Sequence, residues 1–190
     1  MRIIPPESLR TVPWKNGLGS TLEILTDIDT SQTPSAAWTW RLSIADVPSR
    51  SPFSNFDGID RWLACLHGGG MCVERSGSWS AVPKTGEALA FAGEEQIVGE
   101  PIGQKVRDVN WFLQRDRWHG GMWVLRESSD TQIESEIVVI HVVAGTASAT
   151  IRCEGQSVTL TPGFTVQTGG STTIESDPSS VVVIAWASVR

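Results

Sequence analysis

Three groups of residues in this chain are suited to chemistry on a small molecule. The first is Trp14-Lys15-Asn16-Gly17-Leu18-Gly19, where two glycines and an Asn tighten the backbone beside an aromatic wall, a cation and an amide. A ligand loop and a plain turn with an anchoring Trp account for that composition equally well. The second is Arg41 with Ser43, in a run where Trp38, Trp40, Leu42 and Ile44 alternate with Thr39, Arg41 and Ser43. A strand puts Arg41 and Ser43 on one face and the apolar residues on the other. The third is Arg61, which follows a tight Phe56-Asp57-Gly58-Ile59-Asp60 turn, together with Asp108 and Asn110. The last two share a strand face about 7 Å apart. A guanidinium fork holds a carboxylate through two aligned donors, and an Asn both donates and accepts. Each Arg has a competing role as a structural ion-pair partner; for Arg41 the candidate partners are Asp46, Asp57 and Asp60. For Asp108, structural and binding roles stand level.

Other chemistries lack their residues. There is no G-x-S-x-G elbow, no phosphate loop ending in G-K-[ST] and no H-E-x-x-H. His67, His119 and His141 are dispersed in sequence, and a metal site needs convergent ligands. His67 and His141 fall at strand ends and read as packed or surface imidazoles; His119, in a Trp- and Arg-rich loop, is the one of interest. Gly68-Gly69-Gly70 offers N–H groups for an anion, but a hairpin turn with positive φ is the stronger expectation. Cys65 and Cys72 would face each other if residues 67–70 formed a four-residue loop; buried free thiols are the simpler expectation.

These side chains need strands to hold them. The 190 residues include 48 Val, Ile and Thr, with 18 Gly and 10 Pro for turns. Strand patterns occur at 38–44, 61–66, 71–74, 106–113, 136–143, 148–153, 157–160, 164–167 and 181–187. No segment carries a sustained 3.6-residue period. A short helix is expected only after Pro5 or in the turn-rich stretch 114–122. This spacing implies an all-β sandwich or barrel.

Charge and cysteine usage narrow the partners. Fifteen basic and 21 acidic residues give a net charge of −6, and 12 of the basic residues are Arg. Nucleic-acid binding, which needs a basic face, is not expected. The longest apolar stretch, near 137–144, is far short of a membrane span, and Pro5 and Pro6 sit where a signal peptide would be apolar. Three Cys without C-x-x-C spacing suit a reduced, cytoplasmic setting.

A weak internal repeat appears at an offset of 77, which aligns Gly68 with Gly145, Arg75 with Arg152, and Gly86 with Gly163. Two copies of one β unit would leave this trace. The expected division is residues 1–115, carrying the ligand pocket, and 116–190, sharing the core.

Five blocks in series, WKNGLGSTLEI (14–24), WRLSIADV (40–47), PFSNFDGIDRWL (52–63), LHGGGM (66–71) and RDVNW (107–111), resemble the HutD/Ves family of bacterial proteins. The resemblance covers roughly the first 115 residues. It implies a bicupin, with two cupin-like β-barrels or sandwiches in one chain. It also implies a non-enzymatic role in histidine utilisation, binding an acidic intermediate such as urocanate or a formylated amino acid; the Ves branch is linked to stress response. Two positions depart from the family pattern: Leu22 stands where an Arg precedes the Glu, and Leu18 where a glycine is usual. Cupins that hold a metal use an H-x-H and a later His after a P-x-G turn, and this chain has apolar residues after Gly86 and Gly163.

The expected function is therefore cofactor-free and metal-free binding of a small carboxylic acid by Trp14, Asn16, Arg41, Ser43, Arg61, Asp108 and Asn110. Two alternatives stand beside it. One is a metal-independent isomerase or lyase using Asp108 or His119 as base. The other is an interaction module that docks a partner through exposed Trp118 and Trp123. A homodimer is compatible with the sequence.

Overall fold

The structure, a computed structural model, describes residues 1–13, 19–27 and 38–190. Trp14, Asn16 and Leu18 lie outside the described residues. The first half of the chain supplies β1 (Arg2–Ile4), β2 (Arg10–Pro13), β3 (Ser20–Thr26), β4 (Trp40–Val47), β5 (Ser51–Pro52) and β6 (Ile59–His67). Next come β7 (Met71–Arg75), β8 (Ser78–Ala81), β9 (Gly86–Glu87), β10 (Leu89–Ala92), β11 (Ile97–Pro101) and β12 (Val106–Gln114). The remainder forms β13 (Trp118–Leu125), β14 (Ser129–Val142), β15 (Ala149–Cys153), β16 (Gln156–Leu160), β17 (Thr165–Ser176) and β18 (Val182–Val189). A 3-10 turn, Pro6–Ser8, follows Pro5 as expected. The other expected helical stretch, 114–122, is a turn closed by Arg117 N–H on the Gln114 carbonyl, followed directly by β13.

The chain forms two compact units. The N-terminal unit comprises Arg10–Lys84 and Ala88–Arg117; the C-terminal unit comprises Trp118–Arg190 with Met1–Leu9 and Thr85–Glu87. The main crossing falls at 117/118. Two short pieces go the other way: β1 pairs with β17, and β9 pairs with β13.

The N-terminal unit has two antiparallel sheets, ordered β10-β6-β12-β4-β3-β2 and β5-β11-β7-β8. Val47, Leu63, Cys65, Phe91 and Val106 of the first pack with Met71, Val73 and Ile97 of the second. β2 and β10 remain edges, so side-chain packing, not closure of the hydrogen-bond ladder, joins the layers. The barrel expected here is an open, sandwich-like version of the fold. The C-terminal unit has one sheet, ordered β16-β15-β17-β14-β18-β13-β9, with β1 also on β17. Five of its strands direct Val138, Ile140, Val142, Ile151, Leu160, Val166, Ile174, Val182 and Ile184 into one buried cluster.

The repeat is visible in the hairpins. β7 and β8 turn through Ser76-Gly77, β15 and β16 through Glu154-Gly155, and all four residues have positive φ (48°, 79°, 50° and 76°). That is the two-residue turn whose twist matches the strands it joins. The registers Arg75↔Ser78 and Cys153↔Gln156 make the hairpin offset 78. Arg75 therefore corresponds to Cys153, not to Arg152, while Gly68/Gly145 and Gly86/Gly163 keep the offset of 77.

The Gly68–Gly70 segment is not a hairpin turn. It carries the chain from β6 in one sheet to β7 in the other, and the Gly70 carbonyl accepts from Ile102 N–H. Cys65 therefore registers with Asp108, and Cys72 with Ala81 and Glu100, instead of facing each other. All three cysteines are free thiols.

Candidate functional site

β12 is an interior strand of the six-stranded sheet, flanked by β4 and β6. Its alternation sends Val109, Trp111 and Leu113 to one face and Asp108, Asn110 and Phe112 to the other. The register completes the second face: Asn110 lies opposite Ser43 and Leu63, and Phe112 lies opposite Arg41 and Arg61. Five of the seven residues expected from sequence thus share one sheet face across three strands. Trp14 and Asn16 are the two outside the described residues.

Arg61 is the centre of this layer. It is 5% exposed. Its Nη1 donates to the Ser54 carbonyl at 3.1 Å and its Nη2 to Asn110 Oδ1 at 3.0 Å. Asn110 Nδ2 in turn donates to Asp108 Oδ1 at 2.9 Å. The guanidinium carbon lies 4.7 Å from the Phe112 ring centre, 4.8 Å from Phe91, and 5.5 Å from both Phe53 and Phe56. Four of the chain's five Phe therefore surround one cation. Each ring face attracts it, by about 0.5–2 kcal/mol depending on hydration.

The cage is seated on two glycines. Phe53 N–H donates to the Ile97 carbonyl and Phe56 N–H to the Gly93 carbonyl. A Cβ on Gly99 would fall 2.6 Å from the Phe53 ring, and one on Gly93 would fall 2.3 Å from the Phe56 carbonyl oxygen. Side chains at either position would displace the rings.

Arg41 forms the more open side of the layer. Its side chain is 20% exposed, and its Nε lies 3.9 Å from Glu23, which registers with Ser43. Glu23, not Asp46, Asp57 or Asp60, is its ion-pair partner: Asp46 is held by Arg107 and Asp60 by Arg115. The Arg41 guanidinium carbon lies 5.4 Å from Phe112 and 5.9 Å from Trp38. Leu22 registers with Ile44 on the opposite face. The departure from the family pattern at position 22 therefore points away from this layer.

Burial sets the electrostatics. Loss of water lowers the Arg61 pKa to about 10; Asp108 opposes that shift and Arg41 adds to it. Burial also lowers the Arg41 pKa, against the Glu23 charge. Asp108 is 2% exposed, and burial pushes its carboxyl up to about 7 despite Arg61, Asn110 and the Ala45 N–H. The Nε groups of Arg41 and Arg61 are both buried and have no hydrogen-bond partner among the described residues. Donors of this kind are costly to leave unmet.

The other residues noted in the sequence lie elsewhere. His119 is in the C-terminal unit, exposed, with its ring edge-on to Trp186 at 5.9 Å. His141 is buried there, with Nδ1 2.9 Å from Thr165 Oγ1. Trp118 and Trp123 are half-buried, and Trp123 stacks on Trp186 at 6.0 Å. Among the described residues, no three His, Cys, Asp or Glu converge as a metal site.

Sequence reasoning passed over Glu23 and the Phe cage. Phe112 was accessible by alternation, two residues beyond Asn110. Phe53, Phe56 and Phe91 reach Arg61 only through the sheet packing.

The fold and this layer define a two-unit, all-β protein of the cupin type with a charged stratum inside one unit. The chain belongs to the HutD family, whose family model matches residues 6–183. It is 33% identical over 137 residues to an uncharacterized 21.2 kDa protein in the hutC 3′ region of Pseudomonas putida, covering 69% of this chain and 70% of that one. It is 29% identical over 133 residues to Protein Ves of Citrobacter koseri, covering 70% and 67%. A crystal structure of a conserved protein of unknown function from Pseudomonas aeruginosa PAO1 superposes with TM-score 0.84 at 26% identity over 98% of each chain. HutD from Pseudomonas fluorescens SBW25 (formate condition) gives 0.78 at 24% identity, over 100% of this chain and 98% of that one. A cupin 2 conserved barrel domain protein from Leptotrichia buccalis, 7% identical, gives 0.57 over 100% and 96%, which carries the fold alone. No described helix is long and apolar enough to cross a membrane.

Proposed function

We propose that this protein binds a small carboxylic acid in its N-terminal unit without a metal or cofactor, and serves as a non-enzymatic, cytoplasmic regulator in histidine utilisation. The observation that carries the reading is the pair of buried Arg41 and Arg61 Nε–H groups on one sheet face that have no hydrogen-bond acceptor among the described residues. A carboxylate entering a desolvated site needs charge and aligned donors to replace its hydration, and these two guanidinium groups offer both. The Phe rings and Trp38 supply an apolar wall for the rest of the ligand. The pathway assignment draws on the family and on the relative found beside hutC. Ligand-observed NMR with urocanate, N-formylglutamate and formate tests it. Saturation transfer to at least one acid, lost on competition with a second, is the expected result. No transfer to any of them at millimolar concentration would overturn the reading.

A metal-independent isomerase or lyase is the second reading, favoured by an Asp108 carboxyl that titrates near neutrality. The same samples followed for days discriminate the two, because a new product resonance would replace binding with turnover.

A further inference from the structure

We propose that anion capture at Arg61 is coupled to proton uptake by Asp108, with Asn110 as the link between them. The inference rests on the carboxylate-binding reading and adds a regulatory property to that site. A single hydrogen-bonded chain carries it: Arg61 Nη2 to Asn110 Oδ1, then Asn110 Nδ2 to Asp108 Oδ1. Asn110 uses its acceptor toward the cation and its donor toward the carboxylate. Its amide is thereby oriented, and the two charged groups are held in one geometry.

Asp108 is buried on the interior face, and Arg61 is the cation that most favours its ionised form. An incoming carboxylate that pairs with Arg61 takes up part of that favourable charge. It also adds a negative charge to the same low-dielectric layer. Both effects disfavour ionised Asp108. The carboxyl already titrates at about 7 in the unliganded protein, so occupation of the site drives it to the protonated form at neutral pH.

Other charged groups around Asp108 do not reverse the sign. From β6, Arg61 and the Cys65 thiol stand beside it. From β4, Arg41 points into the same layer and Asp46 adds a smaller repulsion. From β3, Glu23 is paired with Arg41. On β12 itself, Arg107 projects to the other face, where Asp46 holds it and His67 is its register partner. Of the cations, Arg61 is joined to Asp108 by the Asn110 relay, so ligand competition for its charge is transmitted most directly. Linkage makes the effect reciprocal: protonation of Asp108 strengthens anion binding as much as the anion strengthens protonation.

The consequence is an affinity that falls as pH rises. Between the free and the liganded midpoints of Asp108, the dissociation constant increases by up to about tenfold per pH unit. The test is calorimetric titration of N-formylglutamate, whose own carboxyls are fully ionised above pH 6, into the full chain at pH 7.5. HEPES and Tris, which differ widely in ionisation enthalpy and carry no phosphate or carboxylate to compete for the site, serve as the two buffers. Wild type should give buffer-dependent heats corresponding to uptake of a fraction of one proton per ligand. Asp108→Asn should give equal heats in both buffers and an affinity constant between pH 6 and 8.5. Measurable binding by wild type with equal heats would overturn the coupling and leave the binding reading intact. Proton uptake that persists in Asp108→Asn would also overturn it. No binding of N-formylglutamate, urocanate or formate at any pH from 5.5 to 8.5 would overturn both readings together. Should Asp108→Asn not fold, carbon-13 NMR of the wild-type Asp108 carboxyl decides the matter. Its midpoint should move upward on adding N-formylglutamate, and an unmoved midpoint in the saturated protein would end the proposal.

Discussion

The two units of this protein use one kind of β framework for opposite interiors. The C-terminal unit fills its interior with aliphatic side chains from five strands. Several of its buried polar groups pair in small local sets, such as His141 with Thr165 and Thr168 with Thr172. The N-terminal unit has an aliphatic cluster too, around Leu63, Met71 and Val106. Beside it lies a layer holding two guanidiniums and a carboxylate, whose two guanidinium Nε groups have no hydrogen-bond partner among the described residues. Buried charge of this kind rarely adds stability over apolar packing. One interior is therefore packed with aliphatic groups, and the other carries the stability cost of a buried charged layer.

The largest effect expected from that contrast is in stability. Ile174→Ala, at a fully buried position of the C-terminal cluster, should cost about 2–5 kcal/mol in denaturant unfolding and leave ligand affinity unchanged. The double variant Arg61→Met/Asp108→Leu makes the N-terminal layer resemble the C-terminal one. It should unfold at the same or higher denaturant, with a gain of up to about 4 kcal/mol, and bind nothing. A double variant several kcal/mol less stable than wild type would make the charged layer structural.

The next largest is a difference in pH response. Burial holds the His141 pKa at about 4 against an ordinary 6.5. The unfolded chain therefore takes up the proton first, and the stability from neutral His141 declines as pH falls from 6.5 towards 4. The total is on the order of 3 kcal/mol. Asp108 is shifted upward, so the folded state holds that proton more tightly and the opposite trend applies. Its contribution is greatest at low pH and is lost as pH rises towards 7. Urea unfolding between pH 4.5 and 8 should show a shallower acid loss in His141→Gln. In Asp108→Asn the rise of stability with pH should steepen. Unchanged slopes in both variants would refute the assignment of these groups.

The smallest effect is a control. Arg152 lies in the second repeat and pairs with Glu175 at the surface. Arg152→Ala should leave both affinity and melting temperature within experimental error of wild type.

Much of this contrast was legible in the chain. Alternation at 38–44 and 106–113 placed Arg41, Ser43, Asp108 and Asn110 on their faces, because the period of 2 is a property of the extended backbone. The register that brings Arg61 opposite Phe112 was not legible, since pairing β6 with β12 is a long-range event. The same limit hid Glu23 as the partner of Arg41 and made Gly68–Gly70 look like a hairpin. β13 was missed because Trp118-His119-Gly120-Gly121 has a loop's composition; Gly121 is needed there, with Trp186 Nε1 2.7 Å from where its Cβ would stand. The aliphatic C-terminal interior was visible in the Val- and Ile-rich stretches near 137–143 and 181–184.

The central claim is that the charged layer of the N-terminal unit is a carboxylate site built on Arg61. Its most direct test is calorimetric titration of urocanate and N-formylglutamate into wild type, Arg61→Lys and Arg61→Ala, with folding verified by circular dichroism. Wild type should bind one acid per chain. Arg61→Lys should bind more weakly because it keeps the charge and loses the fork. Arg61→Ala should lose about 2–5 kcal/mol of binding free energy. A folded Arg61→Ala that binds as tightly as wild type would contradict the account and leave Arg61 as a purely structural residue.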